Sequence, residues 1–110
     1  MKVPNYEQAI IQPNKLMKYL LNFEHPKGSS KAKFFKKHGY DLSNTSHLEV
    51  ELKRIIVQNE VTEIITTPFG LNYSVIAYLE SKTLTNPLIK TVWTISHEND
   101  APHFVTAYPF

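Results

Sequence analysis

Val61-Thr-Glu-Ile-Ile-Thr-Thr67, then Pro68-Phe-Gly-Leu-Asn72, then Tyr73-Ser-Val-Ile-Ala-Tyr-Leu-Glu-Ser81 mark where the sequence changes character. The first run is β-branched and apolar, the second is turn chemistry, and the third alternates apolar with polar side chains. The segment therefore reads as two strands joined by a tight connection. Leu88–Ser96 and Phe104–Tyr108 read as two further strands, linked by the polar turn His97–Pro102. Connections this short favour antiparallel neighbours.

Upstream of Val61 the period is helical. Asn14 can cap a helix over Lys15–Leu21 with Leu16, Tyr19 and Leu20 on one face, ended by His25-Pro26 because a residue before proline avoids helical angles. Ser29 or Ser30 is placed to cap a second helix through His38, with Gly39 as its stop. Thr45 or Ser46 is placed to cap a third, over about residues 46–59, with Leu48, Leu52, Ile55 and Ile56 at helical spacing. The predicted class is α+β, N-terminal helices followed by a four-stranded antiparallel sheet, as one domain over residues 1–110.

Composition narrows the function. Hydrophobic residues make up 42% of the 110, enough for one core, and the net charge is only +2, too small for an indiscriminate DNA coat. That charge is unevenly spread. Residues 1–41 hold eight lysines against Glu7, Glu24 and Asp41, whereas residues 42–110 hold four basic residues against seven acids. The positive pole is N-terminal. The absence of cysteine excludes a disulfide framework and thiol catalysis. There is no apolar run of membrane-spanning length, and Met1-Lys-Val-Pro-Asn-Tyr6 has no secretory core, so the expectation is no membrane partner and a cytoplasmic protein, or a domain delivered by a larger carrier protein.

His25-Pro-Lys-Gly-Ser-Ser-Lys31-Ala-Lys-Phe-Phe-Lys-Lys-His38 holds two histidines and five lysines in 14 residues with no acid. Amides at the start of a helix, with its positive dipole end, attract phosphate. At about 100° per residue, Lys31, Phe34, Phe35 and His38 share one helical face, and Lys33, Lys36 and Lys37 the opposite one. Lys31 thus borders apolar surface, where a phosphate oxygen would be a fitting partner; the alternative is a lysine that snorkels to solvent. His25 precedes the turn and could project towards the same helix start as a proton-transfer group, or simply bond backbone at a helix stop. His38 is explained by the helix dipole, and His47 reads as surface. Five histidines without ligand spacing make no zinc site, and the scarcity of Asp (Asp41 and Asp100) disfavours a two-metal nuclease, so neither metal nor cofactor is expected.

The last hairpin carries a second constellation. Symmetric pairing across its turn would set Ile95 against Phe104, Trp93 against Thr106 and Thr91 against Tyr108, all on one face. A face with Thr91, Trp93, Thr106 and Tyr108 offers hydroxyl donors and a stacking surface for nucleotides. The alternative is a core tryptophan surrounded by strand-forming threonines, and a one-residue shift of register would reverse the faces.

His25-Pro-x-Gly-x-Ser-Lys31-Ala-x-Phe-Phe, Thr67-Pro-Phe-Gly70-x-x-Tyr73, Thr91-Val-Trp93 and Val105-Thr-Ala-Tyr-Pro109 together resemble a family of small bacterial domains of unknown function. That family occurs as standalone proteins, often encoded beside a small immunity-like protein, and as C-terminal domains of polymorphic toxins. The helices-then-sheet order also resembles the barnase–EndoU–colicin–RelE group of metal-independent toxin ribonucleases, an analogy at the level of fold. The resemblance implies a toxin ribonuclease neutralised by a cognate immunity or antitoxin protein, with RNA, by analogy tRNA, as substrate. It points to His25, Lys31, Thr106 and Tyr108 as catalytic residues and to Ser30, Thr91, Trp93 and His103 as substrate-binding ones, His103 keeping a basic character only when protonated. The implied reaction is attack of a 2′-hydroxyl on the adjacent phosphorus. Two rival readings are a non-catalytic RNA- or protein-binding module and an immunity protein; the positive net charge speaks against the latter.

Overall fold

A computed structural model describes residues 1–110. After a single 3-10 turn at Tyr6–Gln8 come α1 (Pro13–Lys15), which runs straight on into a π-turn at Leu16–Leu20, then α2 (Ser29–Lys37) and α3 (Thr45–Gln58). Four strands follow: β1 (Glu63–Thr67), β2 (Gly70–Tyr78), β3 (Leu88–Ser96) and β4 (His103–Pro109). They form one antiparallel sheet in the order β1-β2-β3-β4, so helices precede an open sheet as the sequence predicts.

The differences are local. Pro13 starts the first helix after Gln12, so Asn14 is not its cap, and the chain then widens into the π-turn, with the Leu21 amide bonded to the Leu16 carbonyl. Gly28 and Asn44, rather than a serine or threonine, stand at the N-caps of α2 and α3, and neither makes a side-chain cap bond. Gly39 does end α2, at a φ of 91° that favours glycine. The first hairpin is tighter than its turn residues suggest, because Gly70 already pairs with Thr67. Thr67 Oγ1 accepts the amides of Phe69 and Gly70, closing the turn.

The core lies between α2, α3 and one face of the sheet. Tyr73, Val75, Ala77, Ile89, Trp93 and Ala107 point into that face and meet Phe35, Leu48, Leu52, Ile55 and Ile56 in one core. The opposite face carries the row Glu63, Ser74, Val92 and Thr106 across the strands, and at its β4 end the π-turn reaches Thr106. The free edge of β4 is blunted at its start, where Ile10 bonds Pro102 and Phe104 in a parallel bridge, and further along by the π-turn and α2.

The pairing of the last hairpin corrects the symmetric register. Val92 lies opposite Thr106, yet Trp93 lies opposite Phe104, so Val105 is an extra residue, a β-bulge on β4. Thr106 and Tyr108 consequently face away from Thr91, Trp93 and Ala107 rather than sharing a face with the first two.

Candidate functional site

The site is built where the start of α2, the π-turn and the end of β4 meet. His25 folds the entrance to α2: its Nδ1 accepts the amides of Lys27 and Gly28, both at 3.0 Å, and its carbonyl accepts the Ser29 amide. A neutral His25 ring therefore carries its hydrogen on Nε2. Gly28 is required by contact: a Cβ there would stand 2.0 Å from the Tyr19 carbonyl oxygen. The amides of Ser30 and Lys31, next in the chain, have no partner within the protein.

These elements enclose an open cavity of about 430 Å³ lined by Tyr19, Ser30, Lys31, Thr106, Tyr108 and Pro109. Lys31 Nζ bonds the Lys27 carbonyl at 3.1 Å and sits 5.6 Å from the centre of the Tyr19 ring. Lys15 stands at 5.7 Å from the same ring, and the His25 ring meets it edge-on at 5.0 Å. Tyr19 Oη and Thr106 Oγ1 are hydrogen-bonded at 2.9 Å. Lys90 lies across the ladder from Tyr108; its pKa is raised, chiefly by a hydrogen bond to Glu63.

The electrostatics favour an anion. Lys53, Arg54 and Lys90 each pair with a carboxylate, at Glu49, Glu51 and Glu63, whereas none of the eight lysines in residues 1–41 has one within ion-pair distance. The positive pole is thus uncompensated around the cavity. No carboxylate or imidazole lines the walls, and no group of three His, Asp or Glu side chains converges as metal ligands would.

Of the residues the sequence singles out, Ser30, Lys31, Thr106 and Tyr108 come together in this cavity, and His25 stands behind Tyr19 without lining it. Thr91 and Trp93 do not reach it. Both are fully buried in the core, where Thr91 Oγ1 donates to the Val75 carbonyl and accepts Trp93 Nε1–H, each at 2.9 Å. His103 opens β4 and bonds Asn99. His38 is buried against Phe34, and its Nδ1 has no partner. Tyr19 is the wall residue that sequence reasoning assigned to a helix face; only its helical adjacency to Lys15 hinted otherwise.

A separate polar cluster is structural. Buried Glu51 grips Arg54 through both oxygens at 2.7 Å and also accepts the Glu80 amide, tying α3 to the end of β2. The hydrogen bond to Glu51 holds the Arg54 pKa above its ordinary value. Burial, then the Glu51 and Glu80 charges, push the Tyr40 phenol up.

The chain matches, over residues 2–110, the family described as domain of unknown function DUF6883, and it belongs to that family. No curated protein matches it. Among solved structures, it is similar to a chain of a contact-dependent growth inhibition toxin–immunity protein complex from Klebsiella pneumoniae 342. The TM-score is 0.71 at 11% identity, covering 92% of this chain and 99% of that one, which establishes a shared fold. No helix is long and apolar enough to cross a membrane.

Proposed function

We propose that this DUF6883 domain, residues 1–110, is a toxin-type ribonuclease that cleaves RNA, by analogy tRNA, without a metal or cofactor and is held in check by a cognate immunity protein. One observation carries the reading: Ser30 and Lys31, whose amides are free, line one open cavity with Thr106 and Tyr108 at the lysine-rich pole. The fold shared with a chain of a toxin–immunity complex supports the same direction. Such a toxin would act in a target cell's cytoplasm.

In the proposed reaction the 2′-oxygen bonds to phosphorus and the P–O5′ bond breaks, leaving a 2′,3′-cyclic phosphate and a 5′-hydroxyl. The 2′-hydroxyl gives up its proton and the departing oxygen gains one. Lys31, the two amides and the hydroxyls stabilise the charge that grows on the non-bridging oxygens, where fixed donors are worth most. His25 remains the candidate for proton transfer, but an imidazolium would have to release the two amides held by Nδ1. In the folded turn its clearer service is to hold the α2 start and the edge of Tyr19. Thr91 and Trp93 belong to the core, and His103 lies outside the cavity.

The test is purified protein incubated with RNA and with the matching 2′-deoxy strand. The reading expects cyclic-phosphate ends from RNA and none from DNA; cut DNA would rule the mechanism out. The cavity's lack of imidazole and carboxylate favours one second reading, a non-catalytic RNA-binding module. It expects RNA to be bound and recovered intact.

A further inference from the structure

Tyr19 draws together more independent features than any other residue of the cavity, and the motifs that point to the site do not include it. It sits in the π-turn Leu16–Leu20, a geometry rare in proteins and frequent at functional sites. Two ammonium groups, Lys15 and Lys31, flank its ring, and neither has a carboxylate partner. The His25 ring meets its edge, and Gly28 lies against its carbonyl so closely that no side chain would fit. Its phenol bonds Thr106 Oγ1 at the cavity wall, between residues 87 positions apart in sequence. The wider helical turn, the glycine and the histidine-built loop thus all act on the placement of one half-buried ring.

The chemistry of that hydroxyl pair is specific. Whichever of Tyr19 and Thr106 donates to the other, one O–H of the two is used and the other remains for a third group. The pair is therefore a single donor at the cavity wall, beside Lys31 and the free amides of α2. A donor held this way favours an anion with several acceptor oxygens, and a phosphate fits.

Building on the ribonuclease reading, we infer that Tyr19 is a further catalytic residue: the Tyr19–Thr106 hydroxyl pair donates one hydrogen bond to a non-bridging oxygen of the scissile phosphate, with Lys31 supplying the neighbouring positive charge. The bond strengthens as the pentacoordinate phosphorus gathers charge, so the pair acts on the chemical step more than on ground-state binding.

The experiment compares wild type, Tyr19→Phe, Thr106→Val and the double variant. Tyr19→Phe retains the ring, both cation contacts and the His25 edge contact, and Thr106→Ser restores a hydroxyl as a control. Cleavage of a short single-stranded RNA and binding of uridine 3′-monophosphate at low ionic strength are both measured. Expected are a fall in kcat of about 10- to 100-fold in each single variant with KM within about threefold, recovery in Thr106→Ser, and a double variant no worse than either single one. Tyr19→Phe that cleaves like wild type overturns the inference and leaves the ribonuclease reading standing. Should wild type cleave nothing, that reading falls, and binding decides: weakening of uridine 3′-monophosphate by about two- to threefold in Tyr19→Phe supports the pair as a phosphate donor, and equal binding overturns it.

Discussion

Thr91→Val tests the assignment of the Thr91–Trp93 pair to the core. Thr91 is fully buried, and its hydroxyl both donates to the Val75 carbonyl and accepts the only indole N–H of the chain, each at 2.9 Å. Valine has nearly the same volume, so no cavity opens; the loss is two buried hydrogen bonds and an indole N–H left without an acceptor. Such a group costs about 1–3 kcal/mol, which for a chain of this size lowers Tm by roughly 5–15 °C. Thermal unfolding followed by far-UV circular dichroism reads it. Trp93→Phe removes the stranded N–H, so in that background Thr91→Val should cost about 1 kcal/mol less, a coupling a double-mutant cycle isolates. A Thr91→Val protein within about 0.5 kcal/mol of wild type would refute the reasoning. One that kept its stability but lost RNA cleavage would return Thr91 to the site.

The remaining predictions concern packing, a buried ion pair and pH. Gly28→Ala drives a Cβ against the Tyr19 carbonyl and should lower stability by about 1–3 kcal/mol in urea unfolding while displacing the Tyr19 ring; an unchanged midpoint would contradict the close contact. Arg54→Met strands the Glu51 carboxylate, only 5% exposed, and should cost about 3 kcal/mol, more than Lys53→Met, whose partner Glu49 is partly in water. Hydrogen bonds from the Ser43 hydroxyl and amide hold Asp41 below the usual carboxylate range. Its contribution to stability is therefore present above the unfolded value near 3.8 and is lost as pH falls through the lower folded value. Ser43→Ala should move the Asp41 titration, followed by NMR, back towards that unfolded value; an unmoved titration would discount the hydroxyl.

The architecture was legible because its signals are long and regular. Leu48, Leu52, Ile55 and Ile56 recur at helical spacing along α3, and β1 and β2 have the β-branched and alternating patterns of strands. Half of the cavity was legible too, since Ser30 and Lys31 lie one after the other at the start of a helix whose glycine and proline mark it. The hairpin face failed for a countable reason. One extra residue, Val105, transfers Thr106 and Tyr108 to the side opposite Thr91 and Trp93, and nothing in the local composition announces a bulge. Tyr19 escaped because period-3.6 reasoning set it beside Leu16 and Leu20 on a buried face. The π-turn leaves both leucines buried while Tyr19 lines the cavity.

The proposed ribonuclease activity stands or falls with the cavity that Lys31 lines. Inducible expression in a bacterium, wild type beside Lys31→Ala, with total RNA resolved on a gel and folding of both proteins confirmed by circular dichroism, tests it most directly. Expected are growth arrest with discrete RNA fragments in the wild type, and normal growth with intact RNA in a folded Lys31→Ala. Arrest with intact RNA, or fragments undiminished in Lys31→Ala, would contradict it.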